Sequence, residues 1–304
     1  MKHFKLLGQK TLLCILMVSL LFLNAYAGDQ KEVNKTFKPK ELVKIKIVSG
    51  DCIIKTGSSS EIKVHLVYTF PPDRYKPIFL EEGSALILKE EFQKEGFKWN
   101  ARGKSTWTVT VPAKTKIDFA AASGDLEVTG LKDSLSAKVA SGDINVTNLQ
   151  GAVKVKSASG DIDISKSSGE MAINSASGDI KLTGVNGTFN IKAVSGDIDA
   201  GGIEFTGASN FNAVSGEILL KLSKSSTVDL NLSTVSGDIT LDYNGNPVKG
   251  YFSFKGRKGH ISSDISLESD DESKYNPFVT KYFKKGDSPK ITLKAVSGEL
   301  TFKK

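Results

Sequence analysis

Apolar residues recur two positions apart along most of the chain, with polar or charged residues between them. Val153 and Val155 flank Lys154, for example, and Ile162 and Ile164 repeat the spacing one segment later. This period of two predicts β-strands that bury one face. Helical periodicity is absent after the first 27 residues, so the sequence predicts an all-β protein.

A tripeptide of sequence Ser-Gly-Asp or Ser-Gly-Glu separates these strands at a regular interval. It begins at Ser49, Ser123, Ser141, Ser159, Ser177, Ser195, Ser215, Ser236 and Ser297. The spacing is eighteen residues four times in succession from Ser123 to Ser195, and then increases to twenty and twenty-one. A repeat of this length is typical of solenoids, whose units bury their apolar faces only against their neighbours.

Equivalent positions of successive repeats carry equivalent apolar residues. The residues that follow the acid are Leu126, Ile144, Ile162, Ile180, Ile198, Ile218 and Ile239. Ser168-Gly169-Glu170 falls midway between Ser159 and Ser177, which indicates two strands per coil, about nine residues apart. The pattern predicts a single elongated two-sheet β-solenoid with about 18 residues per coil. We expect the Ala or Val before each Ser to pack inward.

The Ser-Gly-Asp corners bring acidic side chains into a column. Its members are Asp125, Asp143, Asp161, Asp179, Asp197, Glu217 and Asp238. Carboxylates about 5 Å apart repel one another, and Ca²⁺ would relieve that repulsion. The alternative, which we favour, is that each Asp accepts hydrogen bonds from the backbone of its own corner, because the Gly-Gly-x-Gly-x-Asp pattern of calcium-binding β-rolls is missing. We therefore assign no metal ligand.

The regular repeats occupy residues 123–241 of a predicted domain that covers residues 41–304. Residues 28–40 are predicted to be a linker. Hairpin insertions are predicted near both ends, one between Tyr75 and Trp107 and one at residues 242–290. The last segment, residues 291–304, resumes the repeat and is predicted to be a strand that caps the stack.

The first residues have the pattern of an export signal. Three lysines within residues 1–10 precede an apolar run at residues 11–23, and Ala25 and Ala27 then provide the small residues of a cleavage site. This order predicts cleavage before Gly28 and an extracytoplasmic location, in the periplasm, at the outer surface or outside the cell. The alternative is a membrane anchor, but the apolar run is short for a span. We expect no integral span after cleavage.

The charge of the chain limits which partners it can bind, and its cysteine content limits which covalent cross-links can stabilise it. The predicted cleavage lowers the formal net charge from +7 to +4, a small surplus spread along the chain that does not favour nucleic-acid binding. Cys52 is the only cysteine after residue 27, so the chain left by the predicted cleavage can form no intramolecular disulfide. Its apolar neighbours predict a small buried side chain rather than a reactive thiol.

Candidate catalytic and ligand-binding residues are few. His65 and His260 have no second His or Cys nearby to suggest a zinc site, and no Gly-x-Ser-x-Gly motif is present. We assign no catalytic or cofactor-binding residue and no cofactor. Trp99 and Trp107, with Lys98, Arg102 and Lys104, predict either a patch that faces sugar or lipid or, as we favour, a cover for the open end of the core. The aromatic and basic segment at residues 275–285 is predicted to be a solvated insertion.

Several short motifs, in this order, resemble the bacterial putative-adhesin family of toastrack-like β-solenoids. They are the opening sequence from Ile45 to Asp51, Val111-Pro112 before the repeats, the serial Ser-Gly-Asp-Ile corners and the closing sequence from Ala295 to Leu300. The resemblance covers residues 41–304. It implies an extracytoplasmic, all-β, non-enzymatic protein, and it supplies no catalytic residues.

These observations favour a binding, adhesion or scaffolding module whose partner is a protein or polymer of the cell envelope. A solenoid presents long, regular faces, which suit interaction better than catalysis in a concave pocket. One alternative is an envelope-stress sensor or regulatory partner of a membrane system. Another is a polysaccharide-active β-helix enzyme, which we disfavour because eighteen residues per coil leave little room for a cleft lined by carboxylates.

Overall fold

The computed structural model describes residues 30–93, 103–269 and 276–304, and the regular elements in these ranges are all β-strands. The N-terminal part contains β1 (Lys31–Phe37), β2 (Leu42–Ser49), β3 (Asp51–Thr56), β4 (Ile62–Tyr68), β5 (Tyr75–Glu82), β6 (Ala85–Phe92) and β7 (Ser105–Val111). The central part contains β8 (Lys116–Ser123), β9 (Leu126–Thr129), β10 (Leu135–Ser141), β11 (Ile144–Thr147), β12 (Val153–Ser159), β13 (Ile162–Ser165), β14 (Ser168–Ser177), β15 (Ile180–Thr183), β16 (Asn186–Ser195), β17 (Ile198–Phe205), β18 (Ser209–Ser215), β19 (Ile218–Leu222), β20 (Leu230–Ser236) and β21 (Ile239–Asp242). The C-terminal part contains β22 (Gly250–Arg257), β23 (Ile261–Ser263), β24 (Glu268–Ser269), β25 (Phe278–Lys285), β26 (Lys290–Ser297) and β27 (Leu300–Lys303).

The strands form two sheets, which we name after their first coil strands. Hydrogen-bonded neighbours in the β2 sheet follow the order β5, β6, β2, β8, β10, β12, β14, β16, β18, β20, β26, β22, β25 and β24. The β3 sheet follows the order β1, β4, β7, β3, β9, β11, β13, β15, β17, β19, β21, β27 and β23. All pairings between the nine stacked coils are parallel. The prediction of a two-sheet β-solenoid is therefore confirmed.

The eighteen-residue repeat sets the register of both sheets. Ile144 of β11 lies beside Ile162 of β13, which in turn lies beside Ile180 of β15, and all three side chains are fully buried. Burying an aliphatic side chain of this size contributes roughly 1.5–3 kcal/mol relative to leaving it exposed. The inward residues of the two sheets form one continuous apolar core.

The corner glycines allow successive coils to approach closely. Gly178 has a φ of +110°, a conformation that side chains disfavour. A Cβ atom placed on it would lie 2.3 Å from the carbonyl oxygen of Gly160 in the preceding coil. The glycine is therefore required both by the turn and by the stacking of backbone on backbone.

The N-terminal end is closed by strands that lie outside the first coil. β1 pairs antiparallel with β4, and β4 pairs antiparallel with β7, which lies against β3. The prediction of a linker at residues 28–40 is thus wrong for Lys31–Phe37, because Val33 and Phe37 pack against the core. The predicted hairpin is present as the antiparallel β5–β6 pair.

The C-terminal end is closed by the insertion rather than by the last segment. β26 lies between β20 and β22, and Ser297 is in register with Ser236. β25 then pairs antiparallel with β22 on the far side. The prediction that residues 291–304 cap the stack is wrong, because the repeat sequence of this segment matches the coil surface left open beside β20.

The predicted export signal at residues 1–27 lies outside the described residues. Within the described ranges, the structure contains no helix with the length and hydropathy needed to cross a bilayer.

Candidate binding surface

The residue before each Ser-Gly corner points outward from the β2 sheet. These residues are Val48, Ala122, Ala140, Ala158, Ala176, Val194, Val214, Val235 and Val296, and all of them are exposed. The prediction that they pack inward is wrong. The strand alternation continues up to the corner, so that the residue two positions before each Ser, such as Ala193, is the buried one, whereas Val194 is 54% exposed.

Three of these alanines, together with Ala120 of β8, form the floor of an open groove on this face. Ala120, Ala122, Ala140 and Ala158 lie beside one another on β8, β10 and β12. Lysines on β2, β10 and β12 form its rim, and the groove encloses about 570 Å³. We call it the lysine groove, with Lys46, Lys138 and Lys156 as its rim. The floor is continuous because the side chains that form it end in methyl groups, and none of them is large enough to divide it.

Lysines dominate the charge of the sheet face around the groove. The outward residues of β2, β8, β10 and β12 include one carboxylate, Asp118, and six lysines: Lys44, Lys46, Lys116, Lys138, Lys154 and Lys156. In the part of the chain that the structure describes, none of these six lysines forms an ion pair. The opposite face, on β3, β9, β11 and β13, carries Lys55 against Glu127 and Asp163, apart from the corner acids. Along these four coils, positive charge is therefore concentrated on the β2 sheet.

The corner acids form a hydrogen-bonded ladder along the edge of the solenoid. The Oδ1 atom of an aspartate accepts a hydrogen bond from the backbone N–H of the acidic residue in the next coil. The bonds that run from backbone nitrogen to carboxylate are Asp125 to Asp51 (3.3 Å), Asp143 to Asp125 (2.9 Å), Asp161 to Asp143 (2.8 Å), Asp179 to Asp161 (2.8 Å), Asp197 to Asp179 (2.8 Å), Glu217 to Asp197 (2.7 Å) and Glu299 to Asp238 (2.8 Å). The prediction that each Asp satisfies its own corner is therefore wrong, because the neighbouring coil presents an N–H group at hydrogen-bonding distance.

The ladder also bears on the calcium hypothesis. One oxygen of each bonded aspartate is used to hold the adjoining coil, where a charge-assisted hydrogen bond offsets part of the repulsion between carboxylates. Within the described ranges, no group of three or more His, Cys, Asp or Glu side chains has an arrangement suited to hold a metal ion. The structure thus gives the acidic column a structural role.

A buried carboxylate terminates the first coil. Glu90 of β6 is 8% exposed and accepts five hydrogen bonds. The donors are Tyr75 Oη (3.0 Å), Ser105 Oγ (2.6 Å), Trp107 Nε1 (3.0 Å) and the backbone nitrogens of Val48 (2.7 Å) and Ser49 (3.3 Å). Burial and the adjacent carboxylate of Glu90 raise the pKa of Tyr75, which keeps the phenol protonated as a donor. Sequence reasoning missed this residue, because Glu90 occupies an ordinary alternating position of a strand.

Trp107 covers the end of the core, as we favoured, and does not form an exposed patch. Its side chain is fully buried and packs against Phe79, with 5.7 Å between ring centroids. Lys104 instead forms an ion pair with Asp51 at 2.7 Å, and this hydrogen bond raises the pKa of the lysine. Trp99, Lys98 and Arg102 lie outside the described residues.

The other candidate residues do not converge on a common site. His65 lies on β4 at the N-terminal end, 3.3 Å from Glu32, whereas His260 precedes β23 at the C-terminal end. Cys52 is buried, as predicted, and burial, followed by the charges of Glu90 and Asp51, raises its pKa. These three groups are therefore not placed for joint chemistry.

Part of the segment at residues 275–285, which was predicted to be solvated, covers the C-terminal end of the core. In β25, Phe283 is buried and stacks on Phe252 at 4.3 Å, whereas Phe278 is 42% exposed. The prediction is therefore wrong for Phe283, because the end of the core needs an apolar lid. Tyr275 lies outside the described residues.

Stacked parallel coils with glycine corners place the protein in the class of β-solenoids. The family profile described as Toastrack DUF4097 matches residues 43–273, and the chain belongs to this family. No curated protein matches the chain.

Solved structures share this architecture at low sequence identity. A putative adhesin from Parabacteroides distasonis ATCC 8503 has 11% identity and a TM-score of 0.54, over 91% of this chain and 98% of its own. A putative adhesin from Bacteroides fragilis NCTC 9343 has 16% identity and a TM-score of 0.40, over 90% and 96%. A putative lipid binding protein from Parabacteroides distasonis ATCC 8503 has 12% identity and a TM-score of 0.40, over 91% and 98%. The first of these likenesses supports the fold.

Proposed function

We propose that this protein is a non-enzymatic binding or scaffolding module of the cell envelope, exported by its N-terminal signal. The observation that carries the proposal is the basic face on β2, β8, β10 and β12 of the β2 sheet, whose six lysines form no ion pair with any described residue. Flat parallel sheets closed at both ends form a rigid surface, and lysines without ion-pair partners remain available to a ligand.

The placement of the acidic and histidine side chains supports binding rather than catalysis. Glycoside hydrolysis needs two carboxyl groups on either side of the scissile bond. The ladder acids instead project in one row from one edge, and Glu90 has both carboxylate oxygens engaged by buried or backbone donors. The two histidines lie at opposite ends of the stack, so neither assists the other.

Export and envelope binding are tested together on the full chain. Expression in a bacterial host is expected to yield, in the extracytoplasmic fraction, a protein whose mass places its N-terminus at Gly28. The purified mature protein is expected to co-sediment saturably with isolated envelope, whereas the urea-unfolded chain is the control that does not. Release of saccharide products from the envelope, or no sedimentation above the control, would refute the proposal.

A further inference from the structure

The lysine groove has a positive charge that no ion pair within the described ranges neutralises. Lys138 and Lys156 extend from the adjacent strands β10 and β12, and Lys46 extends from β2, on the other side of β8. No described carboxylate lies within ion-pair distance of these three lysines. Adjacent strands are about 4.8 Å apart, so lysines on successive coils repel one another unless an anion lies between them. An anionic ligand would relieve this repulsion at several points at once.

The shape of the groove favours an elongated ligand. Its floor crosses β8, β10 and β12 at right angles to the strands, and it is open to solvent along its length. The floor consists of alanine methyl groups, which offer a narrow apolar strip without hydrogen-bond donors. A ligand that fits must carry repeated negative charges beside a C–H surface.

We infer that the lysine groove binds a linear acidic polysaccharide, with sugar rings over the alanines and carboxylates on the lysines. The inference rests on the proposed binding function and specifies its ligand. An acidic polysaccharide presents C–H faces and carboxylates along a single chain. This arrangement matches a row of alanines with lysines beside it.

Charge and shape argue against the other occupants of such a face. A second copy in face-to-face contact would bring two sets of lysines together, which like-charge repulsion opposes. A bilayer is bound most strongly where bulky apolar side chains penetrate its surface. In the groove, the outward apolar residues are alanines, which do not protrude beyond the lysines.

The test measures binding of polygalacturonate to the mature protein by calorimetry, at low and at high ionic strength. Each exposed lysine–carboxylate pair changes affinity by roughly 1.4- to 5-fold. The triple variant Lys46→Gln, Lys138→Gln, Lys156→Gln is therefore expected to bind roughly 3- to 125-fold more weakly. Wild-type affinity is expected to fall as salt screens the charges.

Two further variants separate groove binding from general charge attraction. Lys55→Gln, Lys63→Gln, Lys181→Gln removes the same number of charges from the β3 sheet and is expected to change affinity less than about 3-fold. Ala140→Phe blocks the floor without changing charge and is expected to weaken binding at least about 5-fold. Equal losses in the two triple variants, or no effect of Ala140→Phe, would overturn the inference.

The remaining measurements test ligands that could compete with an acidic polysaccharide. Neutral dextran is expected not to bind, and phosphatidylglycerol vesicles are expected to bind the wild-type and Ala140→Phe proteins equally weakly. Vesicle binding that is tighter than polygalacturonate binding and sensitive to Ala140→Phe would overturn the inference in favour of a membrane surface. If envelope sedimentation persists while polygalacturonate does not bind, this inference fails and the proposed function stands; loss of both refutes both.

Discussion

Replacement of Gly178 by alanine tests the stacking of the corners most directly. The added Cβ would lie 2.3 Å from the oxygen and 2.7 Å from the carbonyl carbon of Gly160, and both atoms belong to the backbone. The neighbouring coil cannot avoid this contact by a side-chain rotation. It must move away, which strains the hydrogen bond from the Asp179 nitrogen to Asp161.

The magnitude follows from three contributions. The positive φ of +110° at Gly178 costs an alanine about 1–2 kcal/mol. Overpacking against fixed backbone costs about 1–3 kcal/mol. Weakening an adjacent hydrogen bond adds about 1 kcal/mol. All three contributions arise from the same displacement of the neighbouring coil, so they do not add in full. We expect a total loss of about 3–5 kcal/mol in the free energy of unfolding.

Gly184→Ala is the matched control. Gly184 also has a positive φ, +59°, but a Cβ atom added to it would have no neighbouring atom within 4 Å. Its loss is expected to be about 1 kcal/mol. Urea denaturation followed by circular dichroism measures both variants, and comparison of midpoints avoids the assumption of two-state unfolding in a repeat array. Equal destabilisation by the two substitutions would refute the stacking argument.

Three further predictions concern the ladder and the buried polar groups. Asp161→Ala is expected to lower stability by about 1 kcal/mol in urea denaturation, because the Asp179 N–H loses its acceptor, whereas Asp161→Asn keeps an acceptor oxygen and is expected to stay within about 0.5 kcal/mol of wild type. Tyr243→Phe removes a fully buried hydroxyl that has no hydrogen-bond partner among the described residues, so thermal melts are expected to show a gain of about 1 kcal/mol. Burial, with Glu90 and Asp51, raises the pKa of Cys52, so its thiol is expected to react with a disulfide reagent at about pH 8 only after unfolding.

Each of these predictions has an outcome that contradicts it. Equal losses in the alanine and asparagine variants at position 161 would mean that charge, rather than the hydrogen bond, stabilises the ladder. A destabilised Tyr243→Phe protein would show that the hydroxyl has a favourable interaction. Rapid labelling of Cys52 in the native protein would show that β3 opens to solvent.

The solenoid was predictable because one sequence column corresponds to one structural column. Ile144, Ile162 and Ile180 recur at the coil length, and parallel stacking then places them side by side in the core. A period of two within each strand and of eighteen between strands leaves few alternative folds. The glycine of each corner was predictable for the same reason.

The position of the residues before the corners followed from the period of two within each strand, but not from hydrophobicity alone. Val194 and Ala193 are both apolar, and only the register of the strand decides that Val194 faces solvent. The ladder was missed because sequence-local rules place an aspartate's hydrogen-bond partner on its own turn, whereas Asp161 reaches the next coil.

The end closures were missed because they depend on chain paths rather than on local pattern. The repeat in residues 291–304 correctly indicated a coil, but not that β26 is inserted between β20 and β22. The basic face has a similar origin. Lysines that are scattered in the sequence, such as Lys46 and Lys138, come to line the same groove only because β8 pairs with β2 after the excursion between them, which places the two lysines on either side of Ala120.

The interior position of β26 and β27 constrains how the length of this protein can vary. Because both extremities are sealed by chain excursions, a longer array cannot arise by appending units beyond the final strand. It requires whole coils to be duplicated in the middle, for instance residues 142–159, and each duplication would extend the solenoid by about 4.8 Å. Homologues are thus expected to differ in length by whole numbers of coils.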